Sequence, residues 1–103
     1  MRMMMKVNIP VEAGNASITD GSLATKMQRI LGEIKPEAAY FTTDKGQRTG
    51  YIFVDLKEAK DIPALAEPFF LTWKASIDLV PVMTPEDLGA AGPGIANAVK
   101  NYT

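Results

Sequence analysis

The sequence predicts an α+β domain built on a four-stranded antiparallel sheet that packs against helices. The strongest support is residues 48–56, Arg-Thr-Gly-Tyr-Ile-Phe-Val-Asp-Leu, in which β-branched and aromatic residues dominate. Residues 2–9, 37–43 and 76–83 supply three further strand candidates. Two other segments carry apolar residues at helical spacing. The whole chain has 103 residues, which is a usual length for one domain.

The composition excludes several kinds of site. The chain contains no Cys and no His, which removes thiol catalysis, zinc–thiolate sites and the usual haem ligand, so we expect neither a metal nor a cofactor. The formal charge is −1 and no cluster of basic residues suggests nucleic acid or an anionic membrane. The apolar run in residues 1–10 is too short for a signal peptide, so we expect a cytoplasmic protein.

The first strand covers residues 2–9. Pro10 ends it because proline has no N–H to donate to a neighbouring strand. Residues 11–15 show no sustained period, so we expect a loop there. One face of the strand is apolar at the two-residue period of a β-strand and consists of Met3, Met5, Val7 and Ile9.

The first helix is expected within residues 19–34. Thr19, Asp20 and Ser22 are alternative capping residues at its start. Pro36 prevents the helix from continuing. One stripe of the helix is apolar and consists of Leu23, Met27, Ile30, Leu31 and Ile34.

A hairpin turn at Asp44-Lys45-Gly46 joins strand 37–43 to strand 48–56. A three-residue loop gives only the glycine a left-handed conformation, whereas a two-residue loop also requires a positive φ at Lys45, which a lysine resists. Turn statistics therefore favour the three-residue loop.

The length of this loop decides which aromatic residue of the second strand faces the same side of the sheet as Tyr51 and Phe53. The three-residue loop places Phe41 there. The two-residue loop places Tyr40 there, because a slip of one residue turns every side chain to the other face. A buried tyrosine hydroxyl needs a hydrogen-bond partner, which a polar cavity offers more easily than a helix-packed core. Both alternatives stay open at this point.

The second helix is expected to begin at Asp61, which is its predicted cap. Pro68 lies inside the helical pattern and is expected to kink or restart the helix, because proline removes a backbone hydrogen bond. The apolar face includes three aromatic residues that we expect in the core. It consists of Ile62, Leu65, Ala66, Phe69, Phe70 and Trp73.

The fourth strand, residues 76–83, contains Pro81, which favours a position at the edge of the sheet. The sequence Thr84-Pro85-Glu86-Asp87 is a strong helix start, with a threonine cap, a proline at the first helical position and acids in the first turn. Later glycines limit that helix to one or two turns. Residues 93–103 are expected to form a loose tail with a short helix.

The element order β-α-β-β-α-β predicts a ferredoxin-like domain with strand order 4-1-3-2. The domain spans residues 1–103, with a core at 2–83 and a helical tail at 84–103. Two helices cover one face of such a sheet, yet both faces of the third and fourth strands carry apolar residues. A second copy of the chain is the natural cover for the remaining face, so we expect a homodimer in which two sheets form an α/β barrel.

Two segments support this expectation through a resemblance. Pro36-Glu37-Ala38-Ala39-Tyr40-Phe41 and Pro81-Val82-Met83-Thr84-Pro85-Glu86-Asp87-Leu88 resemble signatures of a small uncharacterised bacterial family of the dimeric α/β-barrel superfamily. That superfamily includes muconolactone isomerases and cofactor-free monooxygenases. The resemblance implies a homodimer with a cavity between its sheets for a small apolar molecule. A cofactor-free monooxygenase or isomerase is the alternative, although no catalytic residue is identified.

A third interpretation comes from residues 50–56. The sequence Gly-Tyr-Ile-Phe-Val-Asp-Leu resembles the RNP1 motif of RNA-recognition domains, in which two aromatic residues of strand three stack on bases. Tyr51 and Phe53 match these positions. Ile52 and Leu56 depart from the motif, and the first strand has no aromatic residue, so RNA binding is the weakest of the three.

Of the candidate ligand-binding residues, all but Tyr40 are expected to share the face away from the helices, and Tyr40 joins them only with the two-residue loop. A lysine or aspartate buried there acts as a proton carrier when its pKa is shifted. The structural interpretation, which we favour, is an ion pair of a lysine with an aspartate or of Arg2 with Asp55. The candidate set is Lys6, Tyr40, Tyr51, Phe53 and Asp55.

Overall fold

The computed structural model describes residues 1–103 and has the element order β1-α1-α2-β2-β3-α3-β4-α4-α5. The strands are β1 (Arg2–Ile9), β2 (Ala38–Asp44), β3 (Gln47–Asp55) and β4 (Ser76–Pro81). The helices are α1 (Val11–Thr19), α2 (Leu23–Ile34), α3 (Ile62–Trp73), α4 (Pro85–Ala90) and α5 (Gly92–Tyr102). A 3₁₀ turn at Ala59–Asp61 leads into α3.

The four strands form one antiparallel sheet in the order β2-β3-β1-β4. This confirms the predicted strand order, with β1 and β3 at the centre and Pro81 at the end of an edge strand. The edge position is the one that tolerates a proline, since its outer N–H groups have no partner strand. The layout is consistent with the ferredoxin-like pattern, to which α1 is an addition. None of the helices is long and apolar enough to cross a membrane.

Helix α1 corrects the prediction of a loop at residues 11–15. Its buried positions are Gly14 and Ser17, both small, so the segment lacks the apolar stripe by which a helix is usually recognised. The helix is held from inside the core, because buried Trp73 donates a hydrogen bond from Nε1 to Ser17 Oγ at 2.9 Å. A turn with Gly21 at φ 78° separates α1 from α2. The helix predicted within residues 19–34 therefore begins only at Leu23.

Helix α3 runs without a break from Ile62 to Trp73, so Pro68 does not restart it. The residues after the proline explain why: Phe69 and Trp73 are 0% and 1% exposed. Burying each of these rings contributes about 1.5–3 kcal/mol, which offsets the lost hydrogen bond. Asp61 precedes the helix, but its side chain makes no capping hydrogen bond.

The core lies between the helices and one face of the sheet. Phe69 and Trp73 belong to it, as predicted, whereas Phe70 is 40% exposed and does not. Of the N-terminal methionines, Met3 and Met5 are buried. The largest fully buried side chains are Trp73, Phe69, Met5, Ile52 and Val7.

The C-terminal residues form two helices instead of a loose tail. Thr84 and Asp87 make a reciprocal capping box at the start of α4, which confirms the predicted helix start. Helix α5 then has 11 residues, all of them exposed after Gly92. The molecule is elongated, with extents of 59 × 28 × 21 Å, and α5 packs mainly on α4.

Candidate functional site

The β2–β3 hairpin has a two-residue loop, so the favoured three-residue loop is wrong. Asp44 pairs with Gln47, and the loop residues Lys45 and Gly46 both have positive φ, at 54° and 75°. These signs match the type I′ turn, whose twist suits a hairpin. The left-handed conformation costs roughly 1–2 kcal/mol at a lysine. Lys45 adopts the left-handed conformation in spite of this cost, and the resulting register brings Tyr40 opposite Tyr51.

This register settles the composition of the sheet face that the helices leave uncovered, which we call the open face. Tyr40 lies on it, and Phe41 lies on the helix side, next to Gly50. All five sequence-predicted candidates share this face. The open face consists of Arg2, Met4, Lys6, Asn8, Ala38, Tyr40, Thr42, Asp44, Gln47, Thr49, Tyr51, Phe53, Asp55, Ser76, Asp78 and Val80.

An ion pair occupies one side of the open face. Lys6 Nζ lies 2.5 Å from Asp44 Oδ2, and the Tyr51 hydroxyl donates to the same oxygen at 3.5 Å. Lys6 Nζ also lies 5.9 Å from the centre of the Tyr51 ring. The hydrogen bond from Lys6 lowers the pKa of Asp44, and the same bond raises the pKa of Lys6. Both groups are therefore charged at neutral pH, and the cluster is formally neutral.

Aromatic side chains form the next part of the face. The rings of Tyr40 and Phe53 meet edge to face, with centroids 6.4 Å apart and planes at 77°. Tyr40 is 65% exposed and Val80 on the opposite edge is 40% exposed. Met4 lies between them on β1, opposite Phe53 and Val80 in the two registers. The result is an apolar band that crosses all four strands.

Asp55 lies at the far end of the face, away from Lys6. It pairs with Arg2 in the strand register, as expected, but the predicted Arg2–Asp55 ion pair does not form. Arg2 Nε instead binds Glu37 Oε2 at 2.8 Å. Asp55 binds the N-terminal amine at 3.0 Å and Lys57 at 2.5 Å, and these hydrogen bonds lower its pKa to about 2.

Asp44 is the residue of this cluster that the sequence analysis missed. It was assigned to the turn, whereas the two-residue loop makes it the last residue of β2. The available signal was the parity of the strand, since a loop at Lys45-Gly46 puts Asp44 on the same face as Tyr40. The structure contains no group of three or more acidic side chains that could hold a metal ion.

Comparison with protein-family models and with curated proteins gives no match to this chain. The resemblance noted in the sequence therefore rests on its two segments. In the structure, Pro36–Phe41 leads into and begins β2, and Pro81–Leu88 joins β4 to α4. The first of these segments contributes Tyr40 to the open face.

Proposed function

We propose that the protein is a homodimer whose two sheets stack open face to open face, as a dimeric α/β barrel, and that the space between them receives a small, largely apolar molecule. The observation that carries this proposal is the apolar band of Met4, Tyr40, Tyr51, Phe53 and Val80, which no element of the chain covers. A continuous exposed apolar band of this kind is typical of an interaction surface.

A second copy of the chain suits this surface for two reasons. Lys6 is paired with Asp44 and lies opposite Asp78 in the β1–β4 register, so the centre of the face carries a single net negative charge, and two copies can approach without strong repulsion in salt. A two-fold axis between the sheets also brings the same aromatic residues together from both subunits. The one long element outside the core, α5, packs mainly on α4 and has no substantial contact with the sheet.

The proposed ligand is apolar because aromatic rings form most of the band, and a few polar groups orient it. Tyr51 and Lys6 supply those groups through their shared contact with Asp44 Oδ2. This cluster also favours the second candidate, a cofactor-free monooxygenase or isomerase, since an ammonium and a phenol are proton donors beside the cavity. In that case Tyr51→Phe lowers turnover of a substrate more than it lowers the affinity for it.

RNA binding receives less support from the same face. Its two cationic side chains, Arg2 and Lys6, are both engaged with carboxylates, from Glu37 and Asp44. Binding of single-stranded RNA depends on cations that are free to contact phosphates. We expect weak binding that does not depend on Tyr51 and Phe53.

The mass in solution tests the dimer. One chain has a mass of 11.2 kDa, so light scattering at micromolar concentration is expected to give twice that value. Phe53→Lys places two like charges within the proposed interface and is expected to give monomers. Leu71→Lys is the matched control, because Leu71 is 81% exposed on α3, away from the open face. A wild-type mass of one chain would refute the barrel.

A further inference from the structure

A second apolar space lies on the opposite side of the sheet from the open face. It is a cavity of about 300 Å³ between α2 and the helix-facing side of the sheet. Val7 and Ile52 form its floor from the central strands, Met27 approaches from α2, and Phe41 closes the side toward β2. We call this the helix-side cavity. Because the sheet separates it from the proposed interface, it is a distinct site in each subunit.

Gly50 is one reason that this space is left open. It is buried on β3 between Val7 and Phe41, which are its partners in the two strand registers. A Cβ at this position would lie 3.1 Å from Phe41 Cε1, closer than an ordinary van der Waals contact. The Phe41 ring therefore lies over Gly50, and a larger side chain at position 50 would fill the cavity.

Arg48 is the only charged residue that contributes to the cavity lining, and its guanidinium is turned toward α1 at the side of the apolar space. It lies on the same face of β3 as Gly50, two residues earlier, and is partly exposed. Its Nη2 donates a hydrogen bond to Asn15 Oδ1 at 3.1 Å, and it forms no salt bridge. The guanidinium also packs against buried Gly14, where a Cβ would come within 2.5 Å of Nη1. A neutral amide and a glycine thus hold this cation in place without neutralising it.

We propose that the helix-side cavity binds a small apolar carboxylic acid, with its carboxylate on the Arg48 guanidinium at the α1 side of the cavity and its apolar part inside, against Met27 and Phe41. An arginine guanidinium matches a carboxylate through two parallel hydrogen bonds, which gives both affinity and orientation. The rest of the lining is almost entirely apolar, which suits a hydrocarbon or aromatic body. The volume equals about ten water molecules at about 30 Å³ each, which suits an acid of roughly ten non-hydrogen atoms.

Octanoate and octanamide test the proposal, because they have the same number of non-hydrogen atoms and differ in charge. Titration followed by NMR at the Gly50 amide and the Met27 methyl group is expected to show octanoate binding at least tenfold more tightly. Arg48→Gln removes this difference. Arg29→Gln is the control, since Arg29 lies on α2, the helix of Met27, but is 82% exposed and pairs with Glu33. Equal affinities for the two compounds, or an unchanged affinity in Arg48→Gln, would overturn the proposal.

A second measurement separates this site from the proposed cavity between the sheets. Phe53→Lys disrupts the open face only, so a folded Phe53→Lys monomer is expected to bind octanoate as the wild type does. Loss of octanoate binding in that variant would place the ligand between the sheets and refute the helix-side site. Gly50→Val, which fills the cavity, is expected to abolish binding. If Gly50→Val does not fold, Met27→Phe replaces it, and a folded variant of either kind that still binds octanoate also refutes the site.

Discussion

Lys6 Nζ lies 2.5 Å from Asp44 Oδ2, although the two residues belong to β1 and β2, which β3 separates. Lys6 is opposite Tyr51 and Asp44 is opposite Gln47, so the ion pair passes over β3 at the level of Thr49. Thr49 is only 2% exposed as a result of its position beneath the pair and beside its strand neighbours. The ion pair thus links an edge strand to a central strand across the open face.

The first prediction concerns the pH dependence of this pair. The pKa of Asp44 is lowered in the folded protein, so its contribution to stability is complete above its unfolded pKa of about 3.9 and is lost as the pH falls through the folded value. The pKa of Lys6 is raised, so its contribution is complete below about 10.4 and is lost as the pH rises through the folded value. Urea unfolding should show Asp44→Asn less stable than the wild type between about pH 5 and pH 9.

The difference between wild type and Asp44→Asn is expected to shrink below about pH 4, because the wild-type carboxylate is then protonated as well. Glu67→Gln is the control, since Glu67 is exposed and belongs to no ion pair, and it should follow the wild type throughout. A stability difference that stays constant down to pH 2 would show that Asp44 acts through its shape instead of its charge.

The second prediction compares two serines whose hydroxyl oxygens are buried. Ser17→Ala leaves the buried Trp73 Nε1 without its acceptor and is expected to cost about 1–3 kcal/mol. Ser22→Ala removes a hydroxyl that makes no full hydrogen bond but lies close enough to the Asp20 carboxylate to lower its pKa, so it is expected to cost less than Ser17→Ala. Denaturation followed by tryptophan fluorescence gives both values. Equal costs for the two variants would mean that the Trp73–Ser17 hydrogen bond contributes nothing net.

The sheet was predictable from the sequence because the two-residue alternation of apolar side chains depends only on the residues of each strand itself. The alternation in residues 2–9 and 48–56 identified both central strands, and Pro81 identified an edge. Helix α1 was not predictable in the same way. Its buried residues are Gly14 and Ser17, and what holds it is a hydrogen bond from Trp73, 56 residues later in the chain.

The candidate site was predictable only within each strand. Period-two alternation places Tyr51, Phe53 and Asp55 on one face whatever the register is. The addition of Tyr40 and Asp44 depends on the hairpin loop, where the general preference against a left-handed lysine gave the wrong answer. Lysines 35, 45 and 74 all have positive φ here, at helix ends and at this turn, so the chain repeatedly uses lysine where glycine is common.

The third prediction tests the hairpin loop. Lys45→Asn is expected to stabilise the protein by about 0.5–1 kcal/mol, because asparagine adopts the left-handed conformation more readily. A gain of 1 kcal/mol raises the Tm of a domain of this size by about 4–8 °C. Gly46→Ala, at φ 75°, is expected to have the opposite effect. A lower Tm for Lys45→Asn would mean that residue 45 is right-handed and that Tyr40 is not opposite Tyr51.

The last prediction concerns Phe53, whose ring is half-buried in one chain and packs edge to face on Tyr40. In the proposed dimer the partner covers the rest of the ring. Truncation of a fully buried phenylalanine costs about 3–5 kcal/mol, so Phe53→Ala is expected to weaken the dimer within that limit. Because mass action stabilises a dimer, the Tm of the wild type should rise with protein concentration. The variant dimerises more weakly, so its Tm should rise in the same way only at higher protein concentrations.

Phe70→Ala is the matched control for Phe53→Ala. Phe70 is a 40% exposed phenylalanine on α3, on the other side of the sheet from the open face. Its truncation removes an aromatic ring of the same size without touching the proposed interface, so the dimer dissociation constant should stay as in the wild type. Sedimentation equilibrium of the three proteins provides these constants. If Phe53→Ala left both the dissociation constant and the Tm unchanged, the ring would lie in solvent and the open face would not be the dimer interface.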